Sequence, residues 1–412
     1  MALLGAGAQK VLLIYDSFPP EQSSGTGRPY SLYQNLEKYG IQQIVLTKNN
    51  YGKMPGERNV LRVNSLDTWR QTRYLLPYKL ISWAAFRLGA ISNDLVFYFA
   101  AKRILRRLAK EGIDLVYASF PYTNPLLLAL VAKKRYGIPF IVEFRDGYLF
   151  EPLFGKNWLQ QKRAQSFERK LIRESKCVVT IGKNLSAYFQ SAYPEKKCHT
   201  VYNGYSQITT DSREEPAPPR ERITIGYFGS FLLLRNKNRG IGRLVQGIRG
   251  AIRESGLGIE KLLFQFIGNF TESERSEFAL AGIDAHVEFL PYMDRVSGFM
   301  HLARSVDYLL FVGVEGETTI VSAKLPEYLM LDKPILGVCA GNEAANIILD
   351  TGVGEVCGFE AIDIKELIMK AISGNLRYDP KENVIRNFDR RIQAGHIAEI
   401  MHSAMQDTGA AT

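Results

Sequence analysis

The stretch 307-DYLLFVGVEGETTIVSAKLPEYLMLDKPILGVCA-340 reads as strand, polar loop, short helix and strand. Residues 307–313 and 334–339 are apolar runs of strand length, and the residues before Pro334 have helical spacing, with Leu325 and Leu329 on one side. Pro326 lacks an N–H and fits only the first turn of a helix, which places the start at 322–325, and Pro334 ends the helix after Asp332. The loop 314–321 then presents free backbone N–H groups at a helix start, where a phosphate is favoured. Lys324 and Glu327 stand three apart on one face of that turn, as a site or as a surface ion pair.

The chain of 412 residues, 46% hydrophobic and 23% charged, has room for two domains of roughly 150 to 200 residues each. No apolar run reaches the about 18 residues of a membrane span, and the start passes directly into a strand without a charged leader, so a soluble chain is expected. The four cysteines lie in or beside apolar strand-like runs without paired metal spacing, which suits packing in a reducing compartment.

The net charge of +10 is concentrated between Arg70 and Lys110, where Arg103, Arg106, Arg107 and other basic residues interleave with aromatics such as Trp83 and Phe99. Such a helical surface suits anionic lipid, nucleic acid or plain solvent. No helix-turn-helix, zinc finger or aromatic RNA-binding motif supports nucleic acid.

Strand and helix patterns alternate from a first strand at 10–15 to a last at 199–202. The loop after the first strand carries Gly25 and Gly27, with Arg28 at the mouth of a helix over 30–39. Residues 206–222, with three prolines and mixed charge, read as a linker, after which the alternation restarts. The expectation is an α/β protein of two doubly wound domains facing across a cleft, the ligand at the strand C-termini. The N-terminal domain takes residues 1–205 and the C-terminal domain 223–389. A last helix is expected over 382–406, with 390–412 packed back on the first domain.

KLPEYLMLDKPILGV at 324–338 resembles the donor-binding signature of the group-1, or family 4, retaining glycosyltransferases of the GT-B fold. The resemblance extends to SSGTGRPYSL at the N-terminus, EFRDGY at 143–148, YNGY at 202–205, IGYFGS at 225–230 and TGVGEV at 351–356. It implies transfer of a sugar from a UDP- or GDP-sugar to a glycan or lipid-linked acceptor in bacterial surface polysaccharide or glycolipid synthesis. The place implied is the cytoplasm, with peripheral contact at an anionic membrane. No metal or other cofactor is expected, since no Asp-x-Asp motif is present.

By the same resemblance Glu327 is the second acid of an E-x7-E motif and meets the ribose hydroxyls, while the first-acid position holds Thr319. The backbone at Ile320, Val321 and Ser322 would meet the diphosphate, and the stretch around Tyr292 the base. Gly229 and Ser230 match the glycine loop; Arg239 best fits its phosphate-binding base, with Arg235 and Lys237 as rivals. Lys324 and Asp146 complete the candidate catalytic set with Arg235 and Arg239. Gly25, Gly27, Arg28, Ser119, Tyr122 and Arg145 are expected to face the acceptor. A nucleotide-sugar-binding protein without turnover, suggested by Thr319, and a nucleotide-sugar epimerase of the same fold are the alternatives.

Overall fold

The strands of this chain are apolar at consecutive positions because helices cover both faces of each sheet. The computed structural model describes residues 9–21, 23, 25–66, 94–149, 158–207, 221–231, 241–316 and 321–406. All strand pairs among them are parallel.

The first sheet has the order β3-β2-β1-β4-β5-β6-β7. Its strands are β1 (Gln9–Ile14), β2 (Ile41–Lys48), β3 (Val60–Val63), β4 (Leu115–Phe120), β5 (Phe140–Phe144), β6 (Val178–Thr180) and β7 (Cys198–Thr200). Helix α1 spans Gly27–Asn35, α2 Leu95–Lys110, α3 Thr123–Tyr136, α4 Trp158–Glu174 and α5 Lys183–Ala192. Leu12, Ile14, Val116, Ala118 and Val142 pack with residues of α2, α3 and α4 on one face. Val11, Leu13, Tyr117 and Ile141 pack on the other with α1 and the C-terminal helix Arg390–Gln406. The period-2 geometry of a strand thus sends alternate residues into two cores.

The second sheet has the order β10-β9-β8-β11-β12-β13. It is built from β8 (Ile223–Phe228), β9 (Leu262–Ile267), β10 (Val287–Leu290), β11 (Tyr308–Val312), β12 (Ile335–Val338) and β13 (Gly354–Cys357). Around it are α6 (Gly242–Ser255), α7 (Glu272–Leu280), α8 (Arg295–Ser305), α9 (Lys324–Leu329), α10 (Glu343–Thr351), α11 (Ala361–Ile372) and α12 (Glu382–Ile385). The chain divides into one unit up to Asn203 that also takes the C-terminal helix α13 (Arg390–Gln406), and a second at Gly204–Asp389. Strand order reverses between β1 and β4 in the first sheet and between β8 and β11 in the second, and such switch points hold ligands in α/β sheets.

Several elements differ from the sequence reading. The helix expected up to Asp332 stops at Leu329, because Met330 and Leu331 close tighter turns onto Glu327 and Tyr328 and Asp332 takes a φ of 49°. The first helix begins at Gly27 rather than near residue 30. The single last helix is two, α12 and α13, parted by extended backbone at Asp389. Short edge strands β3 and β13 and helix α7 were not foreseen, although α7 carries a legible capping box, Thr271 with Glu274. Most of the expected linker and of the basic aromatic stretch lies outside the described residues.

Candidate active site

At the switch point of the second sheet, β8 runs out through Tyr227 and Phe228 and turns at Gly229. Gly229 has a φ of 127°, and a Cβ there would lie 2.5 Å from Nζ of Lys324. The backbone angle favours glycine, and any side chain there would displace the lysine. The absent side chain lets Lys324 lie across the end of β8, where its ammonium donates to the Tyr227 hydroxyl at 2.8 Å and sits 4.4 Å from the centre of that ring. Tyr227 in turn donates to the carbonyl of Ser230 at 3.0 Å and stacks on Phe231. The base is therefore a rigid aromatic floor.

No carboxylate pairs with Lys324 among the described residues, and burial alone pushes its pKa down to about 8. Of the two readings of Lys324 and Glu327, the surface ion pair is not what forms. Glu327 is buried, and its two oxygens accept from Nε of Arg295, at 2.9 Å, and from Nη2 of the same guanidinium. Arg295 also donates to the carbonyl of Ser206 at 3.3 Å. Helix α9 is only six residues long and its Ala323 cap offers no side-chain bond, so the dipole invoked at the sequence level is short. Val321 is buried and the Ser322 hydroxyl accepts from Lys324 N at 3.4 Å. Tyr292 is 64% exposed after β10. Arg235, Lys237, Arg239, Thr319 and Ile320 lie outside the described residues.

At the switch point of the first sheet the arrangement is closed. Register sets Ser119 beside Glu143, and this fully buried carboxylate accepts from Ser119 at 2.6 Å, Tyr117 at 2.6 Å and Nε of Arg28 at 2.7 Å. Burial opposes its ionisation, but Arg28, Arg145 and the two hydroxyls outweigh it and hold its pKa below the ordinary range. Arg28 and Ser119 are thus buried and turned to Glu143, behind the loops expected to face the acceptor. A buried Arg needs a partner, and Glu143 supplies it. Arg145 ties two loops together, donating to the carbonyls of Phe120 at 3.1 Å and Gly25 at 2.5 Å. Gly27 leaves room for the Arg390 guanidinium, which a Cβ would meet at 2.9 Å. Asp146 is half-buried beside Arg145 in the chain, and Tyr122 is 39% exposed, with Nζ of Lys48 5.5 Å from its ring centre. Lys48 itself bridges Asp16 at 2.5 Å and Asp94 at 3.3 Å.

Glu143, Tyr227 and Arg295 are the residues that motif reading passed over. An acid within the apolar run 140–144 is a visible signal, since a charge in a strand buried on both faces must be paired. Arg295 had none, being 32 positions from Glu327 in sequence. Among the described residues no helix is long and apolar enough to cross a membrane, and no three His, Cys, Asp or Glu side chains gather as metal ligands would.

Two parallel, doubly wound α/β units of seven and six strands define a GT-B-type fold. Over residues 29–206 the sequence matches the family described as Glycosyltransferase Family 4. Solved structures with the same architecture include a sucrose-phosphate synthase from Thermosynechococcus elongatus, at TM-score 0.63 and 10% identity over 97% of this chain and 100% of that one. A lipopolysaccharide outer core galactosyltransferase, WaaB, matches at TM-score 0.60 and 14% identity, over 96% and 100%. A UDP-N-acetylglucosamine 2-epimerase matches at TM-score 0.54 and 13% identity, over 98% of each chain. Likeness at these identities concerns the fold alone. No curated protein matches the chain in sequence.

Proposed function

We propose that this protein is a retaining glycosyltransferase that moves a sugar from a UDP- or GDP-sugar to a glycan or lipid-linked acceptor in bacterial surface polysaccharide or glycolipid synthesis. The observation that carries this is Lys324, an ammonium without a carboxylate partner among the described residues, held over Gly229 at a switch point, three residues before a buried acid. A diphosphate is the anion such a position suits, because bond breaking leaves charge on its oxygen and an already placed cation stabilises it without reorganisation. Glu327 accepts the ribose hydroxyls, and the backbone near Tyr292 meets the base. Arg235, Lys237 and Arg239 are the further candidates for the phosphates. In the first unit the loops held by Glu143 and Arg145 offer Gly25, Tyr122 and Asp146 to the acceptor.

Helix α2 supports a membrane-edge location. Its outward side combines Leu95 and Phe99, 36% and 57% exposed, with exposed Arg103, Arg106, Arg107 and Lys110. Apolar and basic residues on one helical side suit anionic headgroups.

The test is incubation with a panel of nucleotide sugars, with and without candidate acceptors and with and without chelator, scoring UDP or GDP release. Acceptor-dependent release that survives chelation is expected. Binding without release would favour the non-turnover reading prompted by Thr319, and conversion to an isomeric nucleotide sugar the epimerase reading.

A further inference from the structure

We infer that Arg295 is the positioning residue for nucleotide recognition, fixing the Glu327 carboxylate so that it reads both hydroxyls of a ribose. This rests on the reading of Glu327 as the ribose-binding acid. Three observations carry it beyond that reading.

First, the contact is a fork on a carboxylate. Nε meets one oxygen at 2.9 Å and Nη2 meets the other, which fixes the plane of the acid and not merely its position. An ionised carboxylate accepts about four hydrogen bonds, so the fork alone does not exhaust it. Second, the pair is asymmetric: the Glu327 side chain is 4% exposed and that of Arg295 40%. The guanidinium closes the acid off from solvent on one side while itself remaining at the surface, its central carbon 6.0 Å from the centre of the Phe299 ring. Third, Arg295 opens α8 directly after the Asp294 cap, so it is anchored to the loop following β10, where the base is proposed to lie. One side chain thus connects the base-side loop to the ribose-side acid. A diol presents two donors at a fixed separation, and a carboxylate free to rotate about its three side-chain torsions would lose that geometry in most of its rotamers.

The experiment is titration calorimetry of the whole chain with UDP, GDP and their 2′-deoxy counterparts. The parent is expected to prefer the ribonucleotide by about tenfold or more, the usual worth of one hydrogen bond to a charged group. In Arg295→Ala that preference should fall to within about twofold, and Arg295→Lys, which keeps charge without the fork, should lie between. Adding Arg295→Ala to Glu327→Gln should change the ribose preference no further, as expected of residues acting through one another. A purely structural ion pair would lower the melting temperature of Arg295→Ala and leave the ribose preference at the parent value, and that result overturns the inference. Should Arg295→Ala fail to fold, Arg295→Lys decides alone, since an unchanged preference there also overturns it. A parent that binds neither nucleotide, or binds ribose and deoxyribose forms equally, refutes the ribose assignment of Glu327 itself and this inference with it.

Discussion

The two sheets place charged groups at equivalent points of their topology and treat them in opposite ways. Where β1 and β4 part, the first unit fills the position with its own ions: Glu143 is saturated by Arg28, Tyr117 and Ser119, and Lys48 lies between two aspartates. Where β8 and β11 part, the second unit leaves the Lys324 ammonium without a carboxylate among the described residues. Charge satisfied internally builds a scaffold; charge left over awaits a ligand. The proposed placing of the anionic donor in the second unit rests on this difference.

The largest effect should come from breaking the closed site. Glu143→Gln strips the counter-charge from buried Arg28 and is expected to cost about 3 to 5 kcal/mol of stability, by denaturant titration. The sign with pH follows from the depressed pKa. Its contribution is full above the ordinary carboxylate range of about 4.3 and is lost as pH falls through the lower folded value. The parent should therefore lose stability on acidification more steeply than the variant; parallel pH profiles would show that Glu143 does not anchor this site.

Next in size is the exposed charge of the first unit. Replacing Arg103, Arg106, Arg107 and Lys110 with Gln should remove about 1 kcal/mol of attraction to anionic vesicles per charge, more visibly at low salt, with nucleotide affinity unchanged. A parent that does not sediment with such vesicles at low salt makes α2 a solvated surface and a soluble acceptor the better choice.

In the open site, Glu327→Ala should weaken nucleotide binding by about 1.5 to 3 kcal/mol with the fold intact. An unchanged affinity would reduce Glu327 and Arg295 to a structural pair. The remaining effect is that of a proton. Lys324 has a folded pKa of about 8, below the about 10.4 of an exposed lysine, so its charge opposes folding at neutral pH and this cost disappears as pH rises through that window. Lys324→Met should be more stable than the parent at pH 7 and no more stable above pH about 10.5, in thermal melts. A diphosphate bound beside the ammonium raises its pKa, so UDP or GDP affinity should decline as pH rises above 8 in the parent and stay level in the variant. A flat parent profile would mean that the phosphates are held elsewhere.

Parallel α/β architecture was legible in the chain because it depends on local information: apolar runs of strand length, helical spacing between them, and prolines such as Pro326 and Pro334 that limit where a helix can begin and end. Lys324 and Glu327 could be singled out by their spacing in one helical turn, and Gly229 by the resemblance of IGYFGS to a glycine loop. What they do to one another was not legible. Sequence spacing set Lys324 against Glu327, whereas packing turned one to Tyr227 and the other to Arg295, because a buried acid takes whichever cation the fold brings within reach. Arg28 and Ser119 stand in loops and strand ends that suit ligand contact, yet Glu143, more than twenty residues from either, draws both inward. The broken last helix is likewise a tertiary result, since α13 leaves the second unit to cover the first with Ala394, Ile397, Ala398 and Met401. Periodicity and turn chemistry act over a few residues and can be read along the chain; the pairing of buried charges is decided by the low dielectric around them and by neighbours that only the folded sheet assembles.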